Sequence, residues 1–169
     1  MTRLQEAARA VARHVVKADA VMPIVLRPAC AEDFAFCARL YFSAMEKIIR
    51  ELKLDAAKQE ENLRHLWEVT QVRIITSDGV DAGWMQSEAR EDGLYLEQIF
   101  VDAPFRRRGI GTTVINGLIT QANHTSLPVT LAVVRSNPAL RLYKRMGFRV
   151  ADEDDRKFYM TRQPDAVAG

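Results

Sequence analysis

The stretch from Leu94 to His124, LYLEQIFVDAPFRRRGIGTTVINGLITQANH, constrains this chain more than any other. It reads as a strand, a short basic loop and a helix in immediate succession. Tyr95, Ile99, Phe100 and Val101 supply the β-branched and aromatic run of a strand. Pro104 ends it, having no N–H to give to a ladder. Val114, Ile115, Leu118, Ile119 and Ala122 then recur at helical spacing, which places them on one apolar stripe facing a sheet. Between the two lie Arg106, Arg107, Arg108, Gly109, Ile110, Gly111 and Thr112. Glycines without a Cβ let the backbone turn sharply and let a bulky anion approach the main chain. The first amides of a helix are unpaired and sit at the positive end of its dipole, so a phosphate fits there. Guanidinium groups pair well with phosphate oxygens. Two familiar phosphate loops do not match. A Walker loop needs Lys-Ser/Thr after its second glycine, where Thr112-Thr113 stand, and a Rossmann fingerprint needs a small residue where Val114 stands.

The pattern Arg106-x-x-Gly109-x-Gly111 resembles the acyl-CoA pyrophosphate loop of the GNAT superfamily of N-acetyltransferases. Two flanking segments extend the resemblance in the right order. Tyr95-Leu96-Glu97-Gln98-Ile99-Phe100-Val101 is similar to that family's fourth strand. The stretch from Val129 through Asn137-Pro138-Ala139-Leu140-Arg141-Leu142-Tyr143 to Gly147-Phe148 is similar to its closing strand, helix and turn. The resemblance implies an α/β (mixed α+β) fold, a central, mostly antiparallel sheet of about six or seven strands flanked by about four helices.

Size and charge bound the alternatives. A chain of 169 residues with 48% apolar content fits one domain plus a short extension, with enough material for a core. Its net charge of +2 argues against a surface given over to nucleic acid, and the basic character is local to the arginine run. Cys30 and Cys37 lack metal-type spacing and give no disulfide framework. His14, His65 and His124 are scattered, so no metal site is expected. No apolar run reaches membrane-spanning length, no membrane partner is expected, and the expected location is cytoplasmic. A homodimer is left open.

Taken in order, residues 1–21 read as an alanine-rich extension with Arg3, Arg9, Arg13 and Lys17, either a helix or a frayed tail, and Met22 is a candidate initiator. The domain is expected over 22–162, with a loose tail at 163–169. Ile24, Val25 and Leu26 predict a short strand stopped by Pro28. Glu32 and Asp33 mark a helix entrance, followed by Phe34, Cys37, Tyr41, Ala44 and Ile48 on one face. A second helix is expected from about Asp55 to Val69. By resemblance this pair forms one wall of the acceptor site, with Tyr41, Glu46 and Trp67 as candidate lining residues. Val72–Thr76 and Val80–Ser87 read as a hairpin turning at Ser77-Asp78-Gly79. Val129 to Val134 is so apolar that burial on both faces is expected. Asn137 and Pro138 open a helix that Gly147 closes, and two last strands flank the acidic bend at Asp152 to Asp155.

The chemistry implied is direct attack of a primary amine on the thioester of acetyl-CoA, the cosubstrate, in a ternary complex. An alkyl amine with a pKa of roughly 10 must shed a proton to attack. Glu97 is the candidate base: an acidic side chain among Leu, Tyr and Phe is out of pattern, and burial disfavours the charged form of a carboxyl. By resemblance Tyr143 is the acid that protonates the departing thiolate. The resemblance also gives the cofactor contacts. Ile99, Phe100 and Val101 would pair through main-chain groups with the amide-bearing pantetheine arm. Arg106, Arg107, Arg108, Gly109, Ile110, Gly111 and Thr112 would hold the pyrophosphate, and Asn137 would contribute its side-chain amide. Gln98 stands where the polyamine-acetylating branch has an aspartate, and Ala132 where some protein-acetylating members have a glutamate. A small amine, polyamine-like or amino-acid acceptor is favoured. A protein N-terminus or lysine is the alternative, and an acyl-CoA-binding sensor without turnover is the reading of another class.

Overall fold

Seven strands and four α-helices make up the described part of the chain, residues 23–166 of the computed structural model. The strands are β1 (Ile24–Pro28), β2 (Val72–Ser77), β3 (Val80–Arg90), β4 (Gly93–Val101), β5 (Val129–Val134), β6 (Arg149–Glu153) and β7 (Lys157–Arg162). The helices are α1 (Phe34–Glu51), α2 (Ala56–Leu66), α3 (Ile110–Thr125) and α4 (Ala139–Arg145). One sheet holds all seven strands in the order β1-β2-β3-β4-β5-β7-β6, antiparallel everywhere except between β4 and β5. This is the mixed, mostly antiparallel sheet expected. The extension at 1–21 and the question of Met22 lie outside the described residues.

Each face of the sheet carries its own core. The stripe read on α3 is buried as expected, with Ile110 added, and packs on Leu94, Leu96, Leu131 and Met160. On the other face α1 and α2 cover Val72, Ile74 and Trp84 with Cys37, Leu40 and Leu63. Burying such side chains stabilises by about 1.5–3 kcal/mol each. Outside these cores, Arg27 on β1 grips Asp33 at 2.8 Å and Asp81 at 2.9 Å, fastening the start of α1 to the edge of the sheet.

Three expectations change. The second helix stops at Leu66 rather than near Val69, because Trp67 takes extended geometry and turns its ring into the core, 5.4 Å edge-on from Phe34. Strand β5 alternates: Val129, Leu131 and Val133 are buried, whereas Thr130, Ala132 and Val134 are only partly covered. Helices α1 and α2 sit over β2 to β4 and leave that face of the C-terminal strands thinly clad. The tail expected to be loose is fastened as far as Asp165, whose N–H donates to Asn123 Oδ1 at 2.9 Å. Asn137 and Pro138 open α4 as expected: Asn137 Oδ1 accepts from Ala139 N–H at 2.9 Å, and Pro138 already has helical geometry, φ −58 and ψ −25.

Candidate functional site

Parallel pairing between β4 and β5 lasts for three residues, Leu94 with Val129, Tyr95 with Thr130 and Leu96 with Leu131. Beyond Leu96 the two strands part, and the remainder of β4 keeps only β3 as a neighbour. At the parting point Gln86 of β3 pairs with Gln98, and the next residue, Ser87, pairs with Leu96. Glu97 is therefore the extra residue of a β-bulge, a feature that re-aims a side chain and releases it from the ladder. It is half-buried. Its charge reaches Tyr95: burial first, and then Glu97, pushes the Tyr95 phenol up. Arg90 stacks over the same ring at 4.0 Å and is itself paired with Glu88 at 2.7 Å.

The free edge of β4 is not uniform. Asp102 N–H donates back to Ala82 O on β3, while Val101 O accepts from Arg106 Nε at 2.9 Å, away from the ladder. Main-chain groups alternate in direction along a strand. Ile99 and Val101 thus point their peptide groups into the gap, and Phe100 points its own toward β3. Phe100 contributes its ring instead, 5.4 Å from Trp84 and 5.6 Å from Tyr41. Arg106, expected at the pyrophosphate, spends its Nε as a brace across the loop.

That loop is pinned at its start by Asp102, which accepts from Ala103 N–H at 2.9 Å and from Arg39 at 3.0 Å. The Arg39 guanidinium holds the Asp102 carboxyl below its usual range. Arg107 has φ +60 and Gly109 φ +74, so the chain makes two left-handed steps before α3 starts. Only glycine takes the second without cost. Among the described residues no side chain caps α3, and its first turn is closed by Thr113, whose N–H and hydroxyl both donate to Gly109 O at 2.9 Å. The amides of Ile110, Gly111 and Thr112 precede that contact and have no hydrogen-bond partner among the described residues, the arrangement that accepts an anion. A Cβ on Gly111 would meet only Leu142 Cδ2 at 3.8 Å, so nothing inside the protein requires a glycine there. Arg108 lies 5.7 Å from the Phe105 ring.

On α4, Tyr143 is 7% exposed and 5.8 Å from the Phe148 ring. Burial pushes its phenol up to about 12, so it keeps its proton at neutral pH. Asn137 uses Oδ1 to accept from Ala139 N–H at 2.9 Å and retains its side-chain NH2 for another partner. Tyr41, Glu46 and Trp67 do not converge. Five residues separate Tyr41 from Glu46, about 140° around a helix, and Glu46 lines a groove of about 790 Å³ with Phe42, Ile49, Arg50 and Lys53. Tyr41 and Trp67 pack in the core beneath. The acidic bend is a structural turn: Asp154 accepts from the N–H groups of Arg156 and Lys157 and from Tyr159 Oη. Those bonds, Arg156 N–H first, hold its carboxyl below the usual range. Gln86, which the sequence did not single out, is buried beside the bulge and donates from Nε2 to Leu66 O at 2.7 Å and to Gln71 Oε1 at 3.0 Å. Among the described residues no group of three or more His, Cys, Asp or Glu is placed to hold a metal. No described helix is long and apolar enough to cross a membrane.

Known proteins resemble a segment of this sequence, and others resemble its fold. An uncharacterised N-acetyltransferase of Methanocaldococcus jannaschii is 34% identical over 70 residues, 40% of this chain and 31% of that protein. The human cysteine-rich protein 2-binding protein is 36% identical over 70 residues, 41% of this chain and 9% of that protein. The matched segment thus spans less than a third of either relative. Among solved structures, the PaiA N-acetyltransferase of Thermoplasma acidophilum, in complex with coenzyme A, superposes with a TM-score of 0.61 at 18% identity, over 84% of this chain and 99% of that one. The ribosomal-protein-S18-alanine N-acetyltransferase of Escherichia coli does so with a TM-score of 0.59 at 18% identity, over 86% and 97%. At these identities the structural likeness is one of fold. The profile of the acetyltransferase (GNAT) family matches residues 55–148, more than half of the chain, from α2 through the loop to Phe148. The chain belongs to the acetyltransferase (GNAT) family.

Proposed function

We propose that this protein transfers an acetyl group from acetyl-CoA to a primary amine, within a ternary complex. The observation that carries the reading is the junction of an unpaired strand edge with an uncapped helix start: Ile99 and Val101 beside the amides of Ile110, Gly111 and Thr112. An amide-bearing arm is held by the first, and a diphosphate by the second. Arg107 and Arg108 add charge for the diphosphate, Asn137 offers its NH2, and Arg106 joins them by releasing Val101 O. The absence of a side chain at Gly111, which the fold itself does not demand, fits a ligand lying against the main chain there.

A cationic amine sheds two protons on becoming an amide. Glu97, from its place at the bulge, takes the one that frees the lone pair, and solvent takes the second once the nitrogen has attacked. The nitrogen bonds to the acetyl carbon, the C–S bond breaks, and the sulfur leaves with its electron pair. Tyr143 gives its proton to that sulfur. A phenol whose proton is held up to about pH 12 donates only as negative charge builds on its acceptor, so donation accompanies C–S cleavage. Solvent then returns a proton to Tyr143 and removes one from Glu97. The acceptor class favoured is a small amine or an amino acid. The half-buried Glu97 carboxylate is what would draw a cationic alkyl amine, since the Tyr95 ring beside it is already covered by Arg90 at 4.0 Å. A free-thiol assay with acetyl-CoA against a panel of small amines, amino acids and peptides tests the reading. Turnover with at least one acceptor class supports it. Tight CoA binding with no thiol release across the panel favours a sensor instead.

A further inference from the structure

The ends of two helices meet at one arginine, away from the phosphate loop. Arg162, the last residue of β7, donates from Nε to Met146 O at 3.1 Å, the carbonyl that closes α4. Its Nη2 donates to Asp165 Oδ1 at 2.7 Å, and it also bonds the Gln163 carbonyl. Asp165 completes the link to α3: its other oxygen accepts from Asn123 Nδ2 at 2.8 Å, and its N–H donates to Asn123 Oδ1 at 2.9 Å. The Arg162 side chain is only 18% exposed. Gly147, at φ +89, follows the end of α4, and a Cβ there would stand 3.4 Å from Arg162 Nε, so the main chain is bare where the guanidinium passes. Met146 N–H donates to Tyr143 O at 3.1 Å and Phe148 N–H donates to it at 3.0 Å. Two hydrogen bonds therefore separate the guanidinium from the Tyr143 peptide.

A helix of seven residues does not hold its own shape or place in water. Its position must come from what grips its ends. We propose that Arg162, with Asp165 and Asn123, is a clamp that positions Tyr143, by tying the carbonyl end of α4 to the far end of the helix whose first turn meets the diphosphate. Arg162 is a positioning residue: its guanidinium bonds Met146, Gln163 and Asp165 of the chain itself. The inference rests on the acetyl-transfer reading and fixes the one spacing that reading needs, between the diphosphate grip and the phenol.

Calorimetry with CoA and steady-state kinetics on Arg162→Met, Tyr143→Phe and the double variant test it. Arg162→Met is expected to keep CoA affinity within about twofold while kcat falls about tenfold, and the double variant to be no slower than Tyr143→Phe alone, since residues acting as a unit are not additive. Losses that multiply in the double variant overturn the clamp and leave the acetyl-transfer reading intact. A Tyr143→Phe protein that keeps full turnover overturns the clamp together with the role of the phenol. Wild-type protein that does not bind CoA sinks the acetyl-transfer reading itself. If Arg162→Met fails to fold, the surface variants Asn123→Ala and Asp165→Asn serve, with a smaller fall in kcat, about threefold, and the same lack of additivity with Tyr143→Phe.

Discussion

A Cβ built on Gly111 stands 3.8 Å from Leu142 Cδ2, an ordinary contact that costs the fold nothing. Gly111→Ala separates the needs of the fold from those of a ligand. Replacing glycine by alanine within a helix is stabilising by roughly 0.5–1 kcal/mol where the backbone allows it, so the melting temperature is expected to hold or rise. CoA affinity is expected to fall about tenfold or more, about 1.4 kcal/mol, because the methyl occupies the approach to the amides. Isothermal titration beside a thermal melt reads both.

Glu97→Gln and Tyr143→Phe each remove a proton carrier and little volume. Each is expected to lower kcat about a hundredfold, the lower end of the range for a positioned acid or base, with CoA affinity nearly unchanged. Both variants retaining near-normal kcat would mean that neither residue has the assigned role.

Burial raises the Tyr143 phenol to about 12, and a raised pKa keeps the proton-bearing form as pH rises. The alkaline limb of the wild-type rate profile is therefore expected to show no fall from this residue near pH 10, where an ordinary tyrosine ionises. Stopped assays from pH 7 to about pH 10.5 check it.

The Asp33 carboxyl is held down to about 2, chiefly by its hydrogen bonds to the Arg27 guanidinium. A carboxyl whose folded pKa lies below its unfolded one, roughly 3.9, stabilises the fold fully above the unfolded value. That contribution drains away as pH falls through the folded value. With Arg27 partly open to solvent, it amounts to about 1–2 kcal/mol. Urea melts of wild type and Asp33→Asn are expected to differ by that amount at neutral pH, to draw together as pH falls through about 2, and to converge only below it.

Most of what the sequence revealed was local. Strand β4, its loop and α3 follow from residue types in a row, and the α3 stripe is buried residue for residue as its spacing predicts. Features that depend on a distant neighbour stayed hidden. An apolar run such as Val129 to Val134 does not record whether helices lie on both sides of it, and here one side is thinly covered. The bulge at Glu97 depends on how β3 registers against β4, though an acid among apolar residues was its visible trace. The engagement of Val101 O by Arg106 is likewise a matter of how the loop folds back. Arg162 at the end of a strand has nearby partners in Gln163 and Asp165, but the role of the pair stayed hidden because it depends on Met146 and, through Asp165, on Asn123.

Buried Cys37 and exposed Cys30 should also behave differently toward thiol reagents. Burial pushes the Cys37 thiol up to about 12, whereas Cys30 is raised mainly by its neighbour Glu32 and is open to solvent. One equivalent is expected to react in the native protein and a second only on unfolding, as counted with a chromogenic disulfide at pH 8 or so.

A sheet that comes unzipped halfway along its length is two leaves sharing a short spine, the three rungs from Leu94 to Leu96. Small changes in the angle between the leaves carry the β3–β4 leaf toward or away from the leaf that bears α4. Whatever lies along the seam sets that angle, so the loaded protein is expected to be the stiffer one, with slower amide exchange at Ile99 and Val101 than in the empty protein.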